Sequence, residues 1–168
     1  HIAVGHLQSA QGRQSTALAT LLEVLDLGIE DVQASVDLHR ALGWTQMHAP
    51  DVSGIDSATE AGHYFESALI LARAHQLHQT FAEIFHDIGR CYMLRAKPIR
   101  CETAFKNSLE AALRVGLPGP ICHAEYSLAT YHLQCGQPKE AERLFERLRE
   151  RTRQMGGEKW REISIFIA

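Results

Sequence analysis

The sequence has no apolar run approaching the roughly 18 residues of a membrane-spanning helix, no basic-then-apolar leader and no C-x-x-C pair. The first two absences leave no segment to read as a membrane span or a secretory leader. The third matters because cysteine occurs only at 91, 101, 122 and 135, spacings that neither clip a zinc ion nor declare a disulfide ladder. These cysteines read as reduced, mostly buried thiols of a cytosolic protein. A dominant charge sign is missing as well: 17 Lys and Arg stand against 20 Asp and Glu, a net charge of -3. Such a balance sets up no overall field for a polyanion or an anionic membrane. There is no G-x-G-x-x-G, no phosphate-binding loop and no pair of carboxylates in an apolar setting. Strand-type alternation is absent too, so an almost wholly helical protein is expected. The chain begins at His1 rather than Met, so a native start, with any targeting signal, is expected upstream.

What the sequence does contain is 45% apolar residues, enough to bury a continuous core, and a repeat. Four segments place apolar or small residues at i, i+4, i+7 on one helix face. They are Ala17, Leu21, Val24; Ala61, Phe65, Ala68; Ala104, Ser108, Ala111; and Ala141, Phe145, Leu148. Their leading alanines are 44, 43 and 37 residues apart, within the range of two-helix repeats. Other helical stretches alternate with them: Phe81, Phe85, Ile88, Tyr92 before Pro98, and Tyr126, Leu128, His132 before Gly136-Gln137-Pro138. Proline there suits the first turn of a following helix, where no N–H donor is needed. Gly28, the run Gly116 to Pro120 and Gly156-Gly157 mark turns between units.

Leu128-Ala129, His132, Gly136, Ala141 and Phe145 closely resemble the tetratricopeptide pattern of Leu-Gly or Leu-Ala, Tyr, Gly, Ala, Phe. Ile88-Gly89, Tyr92, Ala96 and Ala104 resemble it with three extra residues before Ala104 and Ser108 in place of the aromatic. Residues 43 to 57, with Pro50 and Gly54, read as a long loop, and the register of the helix before it stays open. The resemblance implies an all-α fold of tandem antiparallel helix pairs in a right-handed α-solenoid. Units are expected at about 1–28, 30–76, 79–115 and 120–155, with a partial unit at 157–168. Residues 1 to 10 read as the end of one first helix, and Trp160, Ile163, Ser164 and Ile167 as the start of another. The chain is thus expected to be the interior of a longer array, with self-association or partly disordered ends where uncapped helices are exposed.

Ten histidines raise the question of metal or acid–base chemistry. His75 and His78 stand i, i+3 at a helix end, but no third ligand has motif spacing, and polar helix-end residues are the simpler reading. Cys122 with His123, and Cys91 with His86, are each poorly spaced to meet on one helix, where neighbours point about 100° apart. No catalytic residue, cofactor or metal is expected, and the chain is not read as an enzyme. The last helix carries Arg143, Arg147, Arg149, Arg151 and Arg153 interleaved with Glu140, Glu142, Glu146 and Glu150. A solvated face laced by pairs such as Glu146–Arg149 and Glu150–Arg153 is expected, with no direct nucleic-acid contact.

In the family that the sequence resembles, non-core positions of each first helix face a concave groove. Carried over, these are Glu83, His86, Arg90 and Met93, then His123, Tyr126, Thr130 and Gln134. Their mixed chemistry suits a peptide better than a lipid. The family's lysine, asparagine and arginine clamp for a C-terminal carboxylate is missing. Units of about 40 residues are similar to arrays in large bacterial regulators of the maltose-regulator class and in kinesin light chain. The first functional expectation is therefore a protein- or peptide-binding scaffold segment of a larger cytoplasmic signalling or transcription-regulatory protein, with no membrane contact. The alternatives are an oligomerising spacer for an output domain, and a small-molecule sensor in which Trp44, Met47 and His48 on the 43–57 loop form a lid.

Overall fold

The computed structural model describes residues 13–48 and 54–155. Among these are seven α-helices and no strand: α1 (Gln14–Leu27), α2 (Val32–Met47), α3 (Gly54–Ala74), α4 (Phe81–Leu94), α5 (Pro98–Val115), α6 (Pro118–Gln134) and α7 (Pro138–Met155). A short 3-10 turn, His78–Thr80, leads into α4. α2 with α3, α4 with α5 and α6 with α7 pack most extensively, and α2, α4 and α6 touch one another in succession. The result is a right-handed solenoid of helix pairs in which α2, α4 and α6 form one continuous layer. The readings of residues 1–10 and 157–168 fall outside the described residues.

The turns repeat with a period that the apolar pattern had blurred. Ala96 and Gly136, forty residues apart, both take positive φ (50° and 71°) after α4 and α6. Lys97 N–H donates to Tyr92 O at 2.9 Å and Gln137 N–H to His132 O at 2.8 Å, and two shorter-range bonds, Ala96 N to Met93 O and Gly136 N to Leu133 O, close each turn. These paired bonds satisfy carbonyls that a helix end would otherwise leave without a donor. Pro98 and Pro138 then open the following helices at their first turn.

The same period corrects the register of the middle pair. Cys101, fully buried, stands forty residues after Ala61 and forty before Ala141, and Phe105 four positions on matches Phe65 and Phe145. Hence the small anchor is Cys101 rather than Ala104, the aromatic is present, and no residues are inserted. A thiol fills the space of an alanine methyl plus one atom and behaves as a small apolar group, which an alanine-based pattern passes over. Ser108 is instead a buried hydroxyl that donates to Ala82 O at 2.6 Å.

The stretch 43–57 is also corrected. α2 runs through Gly43 and Trp44 to Met47, and α3 starts at Gly54. Gly43 is a buried helix position rather than a breaker, because the Phe65 ring lies where its side chain would be: a Cβ at residue 43 would stand 2.5 Å from Phe65 Cε1. Trp44 meets Phe65 edge-on at 6.4 Å, and Met47 is buried with its Sδ 3.9 Å from Cys91 Sγ. Trp44 and Met47 therefore belong to the packed layer and cannot form a lid. Gly89 on Phe105 repeats the Gly43–Phe65 contact in the next pair.

Candidate binding face

α2, α4 and α6 present a cluster of charged and aromatic side chains on their shared face. At its centre is Asp87, only 1% exposed. Its carboxylate accepts from Arg40 Nε at 2.9 Å and from Trp44 Nε1 at 3.0 Å, both on α2. Arg40 also pairs with Glu83 one turn earlier on α4. Burial alone would lower the Arg40 pKa, but the Asp87 and Glu83 carboxylates outweigh it and raise the value, so the guanidinium is locked in charged form.

On the other side of Asp87, His86 Nδ1 stands 3.4 Å from Asp87 Oδ1. The His86 ring lies 4.3 Å, centroid to centroid, from His123 on α6. Burial, then the neighbouring His86, Arg90 and Arg40, push His123 down to about 4 against the opposing pull of Asp87. It is a neutral imidazole at physiological pH. The Arg90 guanidinium sits 4.8 Å over the Trp44 ring, a cation–π contact. It has no hydrogen bond or ion pair among the described residues, and its Nε is buried without a partner.

Of the residues expected in the groove, Glu83, His86, Arg90 and His123 are brought together. Three others are placed elsewhere. Met93 packs against the core around Cys101 and Phe105. The Tyr126 ring meets Phe145 edge-on at 6.1 Å and lies with Cys122 and Leu148. Gln134 is exposed at the last position of α6. Thr130 is half-buried; it stands forty residues after Arg90 and so shares its place on the face. Sequence reasoning missed Arg40 and Asp87, and read Trp44 as part of a loop. With α2 in register, Arg40 falls where α4 has His86, and Trp44 where α4 has Arg90, so the signal existed but depended on a helix read as a loop.

The other candidate cysteines and histidines are buried or kept apart. Desolvation pushes the Cys91 thiol up to about 12, with a further upward push from Asp87, and such a thiol carries almost no thiolate. His75 and His78 lie in the turn between α3 and α4 rather than together on one helix end. Among the described residues no cluster of three or more His, Cys, Asp or Glu is arranged to hold a metal ion, and no helix is long and apolar enough to cross a membrane. On α7, Glu146–Arg149 and Glu150–Arg153 do not pair. Instead Arg147 and Arg151 reach across to Glu125 on α6, which is fully buried. Burying that carboxylate demands charged donors, and these draw two of the five arginines off the solvated face.

Neither a protein-family model nor a curated protein matches the sequence. Solved structures do. The crystal structure of MamA superposes with a TM-score of 0.66 at 18% identity, over 92% of this chain and 77% of that one. A thermophilic TPR protein of Thermus thermophilus gives 0.57 at 16% identity, covering 89% of each chain. The fold is that of a tetratricopeptide-repeat array. A putative kinesin light chain of Podosopora anserina with nearly identical TPR-like repeats superposes at 0.52 with 13% identity, over 92% of this chain and 93% of that one. Identities this low extend the likeness to the tetratricopeptide fold and no further. Within it, α2, α4 and α6 are the first helices of three successive pairs.

Proposed function

We propose that this chain is a protein- or peptide-binding segment of a longer tetratricopeptide array, part of a cytoplasmic signalling or transcription-regulatory protein of bacterial type. Its partner binds along the face of α2, α4 and α6. The observation that carries this reading is the state of Arg90. Arg40 is consumed by Asp87 and Glu83, whereas the Arg90 guanidinium lies 4.8 Å over the Trp44 ring with no hydrogen bond or ion pair among the described residues. A guanidinium resting on an aromatic ring has fewer rotamers to lose, so a carbonyl or carboxylate that meets it incurs less ordering cost. Trp44 and His48, stacked at 5.3 Å, supply adjacent aromatic surface for a side chain of the partner. Mixed aromatic and cationic chemistry of this kind fits an extended peptide.

The test is selection from a displayed random-peptide library on the folded protein, followed by calorimetry of enriched peptides. Arg90→Glu should weaken them by at least about tenfold, the range of a lost charge-assisted bond, and Thr130→Arg should block them sterically. Peptides that bind parent and both variants equally, or no enrichment, would transfer the assignment to an oligomerising spacer.

A further inference from the structure

An opening lies away from the candidate binding face. It is a cleft of about 620 Å³ between the end of α3, the start of α4 and the second half of α5. On α4, Phe81 and Phe85 share one side of the helix, about 100–180° around from His86 and Arg90. With Ala111 and Val115 they make a half-buried apolar floor. Arg73 and Arg114 stand exposed at the rim, and Arg73 lies 5.9 Å over the Phe85 ring.

The next helix pair explains why this space is open. Forty residues on, Phe85, Asn107 and Ala111 become Glu125, Arg147 and Arg151. There the two long arginines lie across the gap, Arg147 at 3.1 Å and Arg151 at 3.2 Å from the buried carboxylate. In the α4/α5 pair the same positions carry an amide and a methyl, too short to cross. The fold therefore has a place that one unit fills with its own side chains and another leaves empty, with an aromatic at its base. Its volume falls in the roughly 300–1,000 Å³ range of small-molecule sites.

We propose that this cleft binds a small carboxylate with an aromatic or alkyl body. The body lies on Phe81, Phe85, Ala111 and Val115, and the carboxylate meets Arg114 and Arg73. Charge at the rim supports an anion: two guanidinium groups face one carboxylate, Glu110, which pairs with Arg114 at 2.6 Å. Both members of that pair are largely exposed, so it is weak, and an incoming carboxylate held in a partly desolvated cleft competes with it. Arg73 has no ion pair among the described residues.

The experiment is a ¹⁵N NMR titration of the whole chain with phenylbutyrate and, separately, with phenylbutanol. Expected are saturable shifts at Asn107, Ala111 and Val115, with the alcohol at least about tenfold weaker, the scale of one desolvated charge contact. Arg114→Gln should weaken the acid, and Arg73→Gln with Arg114→Gln, both at exposed positions, should bring it down to the affinity of the alcohol. Ala111→Trp, which fills the cleft floor without adding charge, should abolish binding of both. No shift at these residues at millimolar probe, shifts confined to other parts of the chain, or equal binding of acid and alcohol would each overturn the proposal. So would acid binding that survives in Arg114→Gln undiminished.

Discussion

The backbone of Gly89 lies against the ring of Phe105, so that a Cβ at residue 89 would stand 2.7 Å from Phe105 Cδ1. In an exposed helix interior, glycine to alanine would gain about 1 kcal/mol. Here the sign should reverse. Phe105 is walled in by Cys101, Leu128 and Tyr131 and cannot turn aside, so Gly89→Ala is expected to destabilise by about 1–3 kcal/mol through overpacking. Urea midpoints would measure it. In a Phe105→Leu background the penalty should shrink, which a double-mutant cycle would show.

Ala96 makes the opposite case. It holds φ at +50° in a turn where Gly136, its counterpart in the next pair, serves without a side chain. Left-handed backbone costs an L-residue roughly 1 kcal/mol. Ala96→Gly should therefore stabilise the chain by up to about 1 kcal/mol, less whatever the greater freedom of the unfolded chain removes. A fall in the thermal midpoint would contradict this account of the turn.

Glu125 and its arginines should respond asymmetrically. The carboxylate is fully buried, while Arg147 is 54% and Arg151 32% exposed. Glu125→Leu leaves two cations that can turn to water, and its cost should stay within about 1.5 kcal/mol. Replacing both Arg147 and Arg151 by Ala strands a buried charge and should cost about 3–5 kcal/mol. Chemical denaturation at neutral pH separates the two. Equal losses would mean that the pairing is not what keeps the carboxylate inside.

Acidification should loosen the face at His123. Its pKa is held near 4 in the folded chain, below the ordinary value of 6.5, because burial and the neighbouring His86, Arg90 and Arg40 disfavour the cation. Between those values the unfolded chain binds a proton that the folded chain refuses, so stability falls as pH drops from about 6.5 to about 4. The shift corresponds to at most about 3 kcal/mol. His123→Gln should flatten the stability profile across that window while leaving neutral-pH stability little changed; a profile identical to the parent would place the acid sensitivity elsewhere.

Much of the architecture was legible because helix periodicity, prolines at first turns and glycines at turn ends are local signals. Leu128-Ala129, Gly136, Ala141 and Phe145 stated a repeat unit in order, and placing such units side by side put Glu83, His86, Arg90 and His123 near one another. Local signals failed where a residue served a distant neighbour. Gly43 looked like a breaker, and only the Phe65 ring, twenty-two positions on, gives it a reason to sit inside a helix. Cys101 looked like a stray thiol until its spacing to Ala61 and Ala141 made it the small anchor of its pair.

By itself, then, the sequence determined that this chain is a run of helix pairs with small residues at the crossings, since periodicity and turn chemistry act within a few residues. The tertiary structure alone decided which charges meet: Asp87 takes Arg40 and Trp44 from a helix more than forty residues earlier, and Glu125 takes Arg147 and Arg151. A buried carboxylate must find donors wherever the fold brings them. Which guanidinium remains without an ion pair among the described residues depends on that three-dimensional competition, and no local pattern records its outcome.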